Sequence, residues 1–161
     1  MLVSEAGLNL RPDVEIRFVA GPVAYRPGPM LANGGGESVF LGRTRLEVHK
    51  EHGALLALRY EAYETMALET LARLVEEIDK HMPLRFVRIE HSLGDVPVGE
   101  ASVFIQVISA HRAEAMAACK FLIDRLKADV PIWKGEVWSD GQITWPDGHV
   151  VGIAVAGRGV S

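Results

Sequence analysis

The chain has 161 residues, 48% of them hydrophobic and 24% charged, a balance that lets a single soluble domain spanning 1–161 bury a substantial core. A formal net charge of −4 argues against a general nucleic-acid binder, which needs a basic excess or a dense basic stripe, but it permits a local anion pocket. One cysteine can form neither an internal disulfide nor a cysteine-rich metal site, no apolar run is long enough to span a bilayer, and the N-terminus lacks the pattern of a secretory signal, so a cytoplasmic protein is expected.

Val14 to Ala20 mixes charged and apolar residues and predicts a first strand that stops at Gly21-Pro22. Residues 26–36 hold two prolines and the run Asn33-Gly34-Gly35-Gly36. A glycine run cradles phosphate when it opens a helix, but here strand-like Ser38-Val39-Phe40-Leu41 follows, so a flexible connection without chemistry is expected. The next strand is read over Ser38–Leu46, where a period of two puts Arg43 and Arg45 on the same side, a plausible grip for phosphate. His49 and His52 have a spacing that suits a metal on a helix. Gly53 signals a turn instead and no third ligand is evident, so an exposed loop and no metal are expected.

Ala54 to Tyr60 predicts another strand. From Glu64 to His81, Ala67, Leu71, Leu74, Val75, Ile78 and Met82 recur at helical spacing until Pro83 ends the pattern. Two strands follow, 85–91 with Val87 and Ile89 alternating with Arg88 and Glu90, and 101–108, which is apolar on both faces and therefore central. The second helix occupies the segment from His111. Ala115, Cys119, Leu122, Ile123 and Leu126 form its apolar stripe, which makes Cys119 a core residue and not a nucleophile. Ser109 is expected to cap it, and Pro131, by disfavouring a helical Val130, to stop it at about Lys127 or Ala128. Residues 136–138 and 142–145 can pair as a hairpin across Ser139-Asp140-Gly141. The tail Val150–Ser161, apolar but broken by three glycines, either adds a strand or stays outside the fold. Six or seven strands with two helices, not in regular alternation, indicate the α+β class.

Each cation taken singly has a bland explanation: a lysine in the last turn of a helix complements its dipole, and a Trp-Lys pair anchors a solvated charge. The combination is more specific. His111-Arg112 at the helix start, Leu126-Lys127 at its end, and Pro131-Ile132-Trp133-Lys134-Gly135-Glu136 after it resemble the molybdopterin synthase large (catalytic) subunit family, which installs dithiolene sulfur in molybdenum cofactor biosynthesis. The resemblance extends in order through Phe40-Leu41-Gly42-Arg43-Thr44-Arg45, Leu58-Arg59-Tyr60-Glu61-Ala62-Tyr63, Met66-Ala67, Gly99-Glu100, Asp140-Gly141 and Trp145, so that residues 39–145 match. Residues 1–13 and 146–161 are termini outside the matched region. One departure is Ser92, where the family usually carries an arginine after His91.

This resemblance implies an α/β hammerhead-like fold with an added antiparallel β subdomain. It also implies conversion of cyclic pyranopterin monophosphate to molybdopterin, with sulfur delivered by the C-terminal thiocarboxylate of a small ubiquitin-like carrier subunit. Lys127 and Lys134 are the implied catalytic pair, Lys127 as base or nucleophile and Lys134 as the charge that stabilises developing negative charge. Arg43, Thr44, Arg45, His111, Arg112, Gly135 and Glu136 are the implied substrate contacts, with no resident cofactor and no metal. His111 and Arg112 lie roughly 20 Å or more from Lys127 along the helix, so a shared site calls for a two-fold dimer within a heterotetramer. The competing expectation is a non-catalytic dimeric protein that docks a ubiquitin-like partner, which would have no need for Arg45, Lys127 and Lys134 inside a cleft. A phosphoryl-transfer enzyme ranks last for want of a GxxxxGK motif and an evident metal site.

Overall fold

A computed structural model describes residues 11–146; the tail Val150–Ser161, for which either a further strand or a place outside the fold is expected, lies outside the described residues. The elements are β1 (Asp13–Ala20), β2 (Gly36–Arg43), β3 (Val48–His49), β4 (Gly53–Ala62), α1 (Glu64–His81), β5 (Leu84–Pro97), β6 (Ala101–Ser109), α2 (Arg112–Asp129), β7 (Ile132–Trp138) and β8 (Ile143–Thr144). They form one eight-stranded sheet in the order β2-β6-β5-β4-β7-β8, with β1 beside β5 and β3 beside β4. All pairings are antiparallel except β1 with β5. The class is α+β, as the irregular order of strands and helices indicates. Neither helix is long and apolar enough to cross a membrane.

β5 organises the sheet. Its first part pairs with β6 on one edge and with β1 on the other, and Gly94 to Pro97 then pairs with β4. Gly94 has φ +83°, a conformation in which only glycine is free of strain, and it sits where the strand passes from β1 to β4. Both helices cover one face. Leu71, Leu74, Val75 and Ile78 of α1 and Cys119, Leu122, Ile123 and Leu126 of α2 pack with Val87 and Ile89 of β5 and Val103, Ile105 and Val107 of β6. The expected apolar stripes are therefore the buried ones, and Cys119 is a core residue whose thiol burial pushes toward the neutral form. Every residue of β6 is buried, as its two apolar faces require.

The opposite face differs from simple alternation. Arg88 and Glu90 are buried, because β1 and the segment after it cover them. Arg88 donates to Glu15 at 2.7 Å, to the Gln106 side chain at 2.7 Å and to the Pro27 carbonyl at 3.2 Å; Glu90 accepts from Arg17 at 3.0 Å and from Arg26. Gln106 completes the set by donating to Glu37 and to the Arg26 carbonyl. The charges survive burial because each is paired.

Several boundaries move. The strand expected over Ser38–Leu46 ends at Arg43, since the Thr44 amide and carbonyl turn to Glu100 and Gly99 and leave the ladder. Ser109 does not cap α2: its hydroxyl donates to the His111 carbonyl at 2.7 Å, and His111 itself occupies the N-cap position with no side-chain cap. The helix runs on to Asp129, one or two residues past the expected stop. β7 begins at Ile132, so Lys134 lies within a strand that pairs with β4. The glycine run is not a flexible connection either. Gly35 donates to the Ser109 carbonyl at 2.9 Å, a Cβ on Gly35 would overlap the Ala110 carbonyl oxygen, and one on Gly36 would lie 2.7 Å from the Arg112 backbone. Glycines are needed there because two backbones touch at the entry to α2.

His91 sits in β5 at 5% exposure, its ring edge-on to Tyr60 at 4.8 Å and to Phe18 at 6.3 Å. Burial lowers its pKa to about 4, outweighing the hydrogen bond from Nδ1 to the Ser92 carbonyl, which favours the charged form.

Two outcomes follow from this packing. Gly35→Ala should destabilise by about 1–3 kcal/mol in urea titrations although Gly35 is exposed, whereas Asn33→Ala should stay within about 0.5 kcal/mol. The unfolded chain, with its ordinary imidazole, binds a proton that native His91 refuses, so stability should be full above pH 6.5 and fall as the pH drops toward 4. The loss should be on the order of 3 kcal/mol, and His91→Phe should flatten it in denaturation curves taken across that window.

Candidate active site

The end of β2, the exit of α2 and the middle of β7 meet at a cleft of about 300 Å³. Its floor is apolar, with Phe40, Leu58, Val103, Ile123 and Leu126, and its charged lining comprises Arg43, Arg45, Lys127, Lys134, Glu47 and Glu136. Four cations against two carboxylates leave the cleft positive inside a chain of net charge −4. Low-dielectric walls strengthen such a local field, which suits an anionic ligand with an apolar body.

Each cation arrives by a different route. Burial of Ile123 and Leu126 on the sheet fixes the rotation of α2, and Lys127, the next residue, emerges exposed at the rim on the last turn. Lys134 stands opposite Tyr60 in the β4–β7 ladder. Arg43 closes β2 and donates to the Gly99 carbonyl at 3.1 Å. Arg45 lies beyond the strand, 84% exposed and, among the described residues, held by only a loose ion pair to Glu47 at 3.7 Å, so its guanidinium is available to a ligand. Glu136 is held from behind: the Trp138 indole N–H donates to Thr144 at 2.8 Å, and the Thr144 hydroxyl donates to Glu136 at 2.9 Å.

Thus Arg43, Arg45, Lys127, Lys134 and Glu136 share one cleft, and the remaining sequence candidates do not line it. Thr44 is buried and donates to the Val96 carbonyl at 3.2 Å, where it anchors the turn between its arginine neighbours. Gly135 is buried under the Trp145 ring, about 3.0 Å from where a Cβ would be, so a side chain there would displace the indole. His111 and Arg112 lie at the far end of α2, about 22 Å from Lys127 by helical rise.

Four polar lining residues escaped the sequence reading: Glu47, Tyr60, His91 and Ser102. Tyr60 donates to Ser102 at 3.1 Å and is kept protonated by burial, and His91, neutral for the same reason, lies beside it. With Nδ1 donating to the Ser92 carbonyl, the His91 Nε2 is left as an acceptor. Their pairing across β4, β5 and β6 leaves no trace in local spacing; only the register opposite Lys134 reveals it. Ser92, the departure from the family pattern, alternates to the face away from His91 and is absent from the lining, where its buried hydroxyl has no partner among the described residues.

A family profile described as MoaE protein matches residues 25–129. A molybdopterin synthase catalytic subunit from Oryza sativa subsp. indica is 46% identical over 109 residues, 68% of this chain and 55% of the relative, so the chain spans about half the length of the curated relative it matches. A crystal structure of molybdopterin synthase from Staphylococcus aureus superposes with a TM-score of 0.70 at 33% identity, covering 83% of this chain and 95% of that one. A protein-protein complex of subunits 1 and 2 of molybdopterin-converting factor from Helicobacter pylori 26695 shares the fold, with a TM-score of 0.64 at 18% identity over 84% of this chain and 92% of its own. The profile covers α1, β5, β6 and the whole of α2, the elements that form the core and bring Lys127 to the cleft, and on that match the chain belongs to the MoaE protein family.

Proposed function

We propose that this chain is the catalytic subunit of a molybdopterin synthase, converting cyclic pyranopterin monophosphate to molybdopterin with sulfur from the C-terminal thiocarboxylate of a small ubiquitin-like carrier. The observation that carries this reading is the gathering of Arg43, Arg45, Lys127 and Lys134 around one apolar-floored cleft. Arginine forks suit the substrate phosphate, and the apolar floor suits the flat pterin. Lys127 acts as base or nucleophile, and Lys134 stabilises the negative charge that develops as sulfur is transferred. Glu136, held by Thr144, adds a fixed carboxylate to the lining of the same cleft.

A separate sulfur donor fits the chain's own chemistry. Its only cysteine, Cys119, is buried and held in the thiol form, so it cannot pass sulfur to a ligand in the cleft. An extended carrier tail reaching the cleft supplies what this chain lacks. His111 and Arg112 join the chemistry only if a second copy brings the start of its α2 to the cleft, which calls for a two-fold dimer, and with two carriers a heterotetramer.

Dithiolene formation, assayed with purified protein, cyclic precursor and thiocarboxylated carrier, should fall by about 10²-fold or more in Lys127→Ala, while stability changes by only about 0.3–1 kcal/mol. Lys134→Ala should be severe but leave partial turnover. Near-normal rates in both variants would return the lysines to surface charge, and a folded wild-type protein without turnover would favour a docking role. The dimer has its own test. Inactive Lys127→Ala and Arg112→Ala variants, mixed in equal amounts and allowed to exchange, should recover roughly a quarter of wild-type activity, because half the dimers are mixed and each holds one intact site. A mixture that stays inactive after mass spectrometry has shown exchange refutes the shared cleft.

A further inference from the structure

The two histidines left without a third ligand by their spacing acquire one in the folded chain. His49 closes β3, and Glu51 and His52 lie on the turn between β3 and β4, with one ligand atom from each within 4.8 Å of the others. A fourth residue comes from 88 positions away: Asp140, in the turn between β7 and β8, lies 2.8 Å from His52 Nδ1. A carboxylate only accepts, so His52 donates through Nδ1, which in the neutral ring leaves the lone pair on Nε2 free. This is the arrangement by which a carboxylate fixes the tautomer and orientation of a metal-binding imidazole. His49 Nδ1 also carries a lone pair, engaged only by the long N–H contact from Glu51 at 3.2 Å.

The surroundings hold these groups in place. The two imidazoles stack at 4.8 Å with 24° between their planes, and both lie against Trp138, which is 3% exposed. Ser139 ties the two turns together, accepting from the Ala54 amide at 3.0 Å and donating to the His52 carbonyl at 3.3 Å. Two imidazoles and one carboxylate are a donor set for zinc and its neighbours in the first transition row, whereas calcium and magnesium prefer oxygen donors throughout.

We propose that His49, Glu51 and His52 form a binding site for a divalent transition metal of the zinc type, with Asp140 as the positioning residue behind His52. Ligand atoms around tetrahedral zinc are about 3.4 Å apart, so the three side chains must close by an ångström or so; His49 and Glu51 are exposed and free to do this. The bound ion would clamp the β3–β4 turn to the β7–β8 turn. Trp138, beneath the histidines, also begins the hydrogen-bonded chain through Thr144 to Glu136, and Glu47, just before β3, lines the cleft, so the clamp would stiffen one wall of it. The site does not depend on the proposed reaction, and its test does not use turnover.

Zn2+ should be titrated into the full chain, free of any polyhistidine tag, in competition with a chromophoric chelator, with Co2+ absorption as a second readout. One equivalent should bind saturably and raise the melting temperature. His49→Ala and His52→Ala should each weaken binding by more than about 10-fold, Asp140→Ala by about 10–100-fold, and exposed His81→Ala not at all. Circular dichroism in chelator checks that each variant is folded; Glu51→Gln, an exposed and nearly isosteric change, serves as the ligand variant should an alanine variant fail to fold. Absence of saturable binding by the wild type, or unchanged affinity in a folded His49→Ala/His52→Ala double variant, overturns the site.

Discussion

Burial of one face of α2 against β6 and its neighbours determines where everything else in the molecule stands. Leu122 is fully buried, and Cys119, Ile123 and Leu126 are 4–8% exposed against Val103, Ile105 and Val107. Fully burying side chains of this size is worth about 1.5–3 kcal/mol each, far more than the dipole contribution of a last-turn lysine, so packing alone sets the rotation and axial position of the helix. Lys127 follows Leu126 and has no freedom to leave the rim of the cleft. The same contact sends the chain through Val130 and Pro131 into β7, which carries Lys134 to the ladder position facing Tyr60.

The reverse face of the sheet serves the same end by other means. Arg88, Glu90 and Gln106 are removed from water, and their desolvation is offset by a network that joins β1, the segment around Arg26 and Pro27, and β2 through Glu37. Replacing a paired buried charge with an apolar residue of similar volume often costs little, whereas removing only one partner strands the other. The network therefore holds the covering segment in a single register. That register delivers Gly35 and Gly36 to the start of α2, where their lack of side chains lets the backbones touch.

Electrostatics separates the cleft from the rest of the surface. The chain as a whole is acidic, yet the cleft carries four cations and two carboxylates. The two buried titratable groups of its lining are kept neutral by burial: the His91 imidazole lies well below its usual range and the Tyr60 hydroxyl above it. These neutral groups add no charge to compete with the cationic rim for an anion, and they offer an acceptor at His91 Nε2. The charge that recognises a ligand and the surface that accommodates its body are thus supplied by different elements.

Much of this was legible along the chain because it depends on period. The stripe through Cys119, Leu122 and Leu126, the α1 stripe, the doubly apolar β6 and the α+β class all follow from how often an apolar residue recurs, and a core selects for that directly. Arg43, Arg45, Lys127, Lys134 and Glu136 were identified as cations and an acid in a recognisable order, and the fold brings them to one cleft. Thr44 and Gly135 were adjacent to them in sequence but alternate or pack away from the lining, and His111 and Arg112 are separated from it by the length of α2. Contacts between distant segments had no local signature: Tyr60 with His91, Gly35 with Ala110, Arg88 with Glu15, and His52 with Asp140. Local spacing determines which face of an element is buried, because that depends only on the geometry of one helix or strand; which residues meet across elements was decided by the packing and strand register of the whole sheet, since those depend on every element at once.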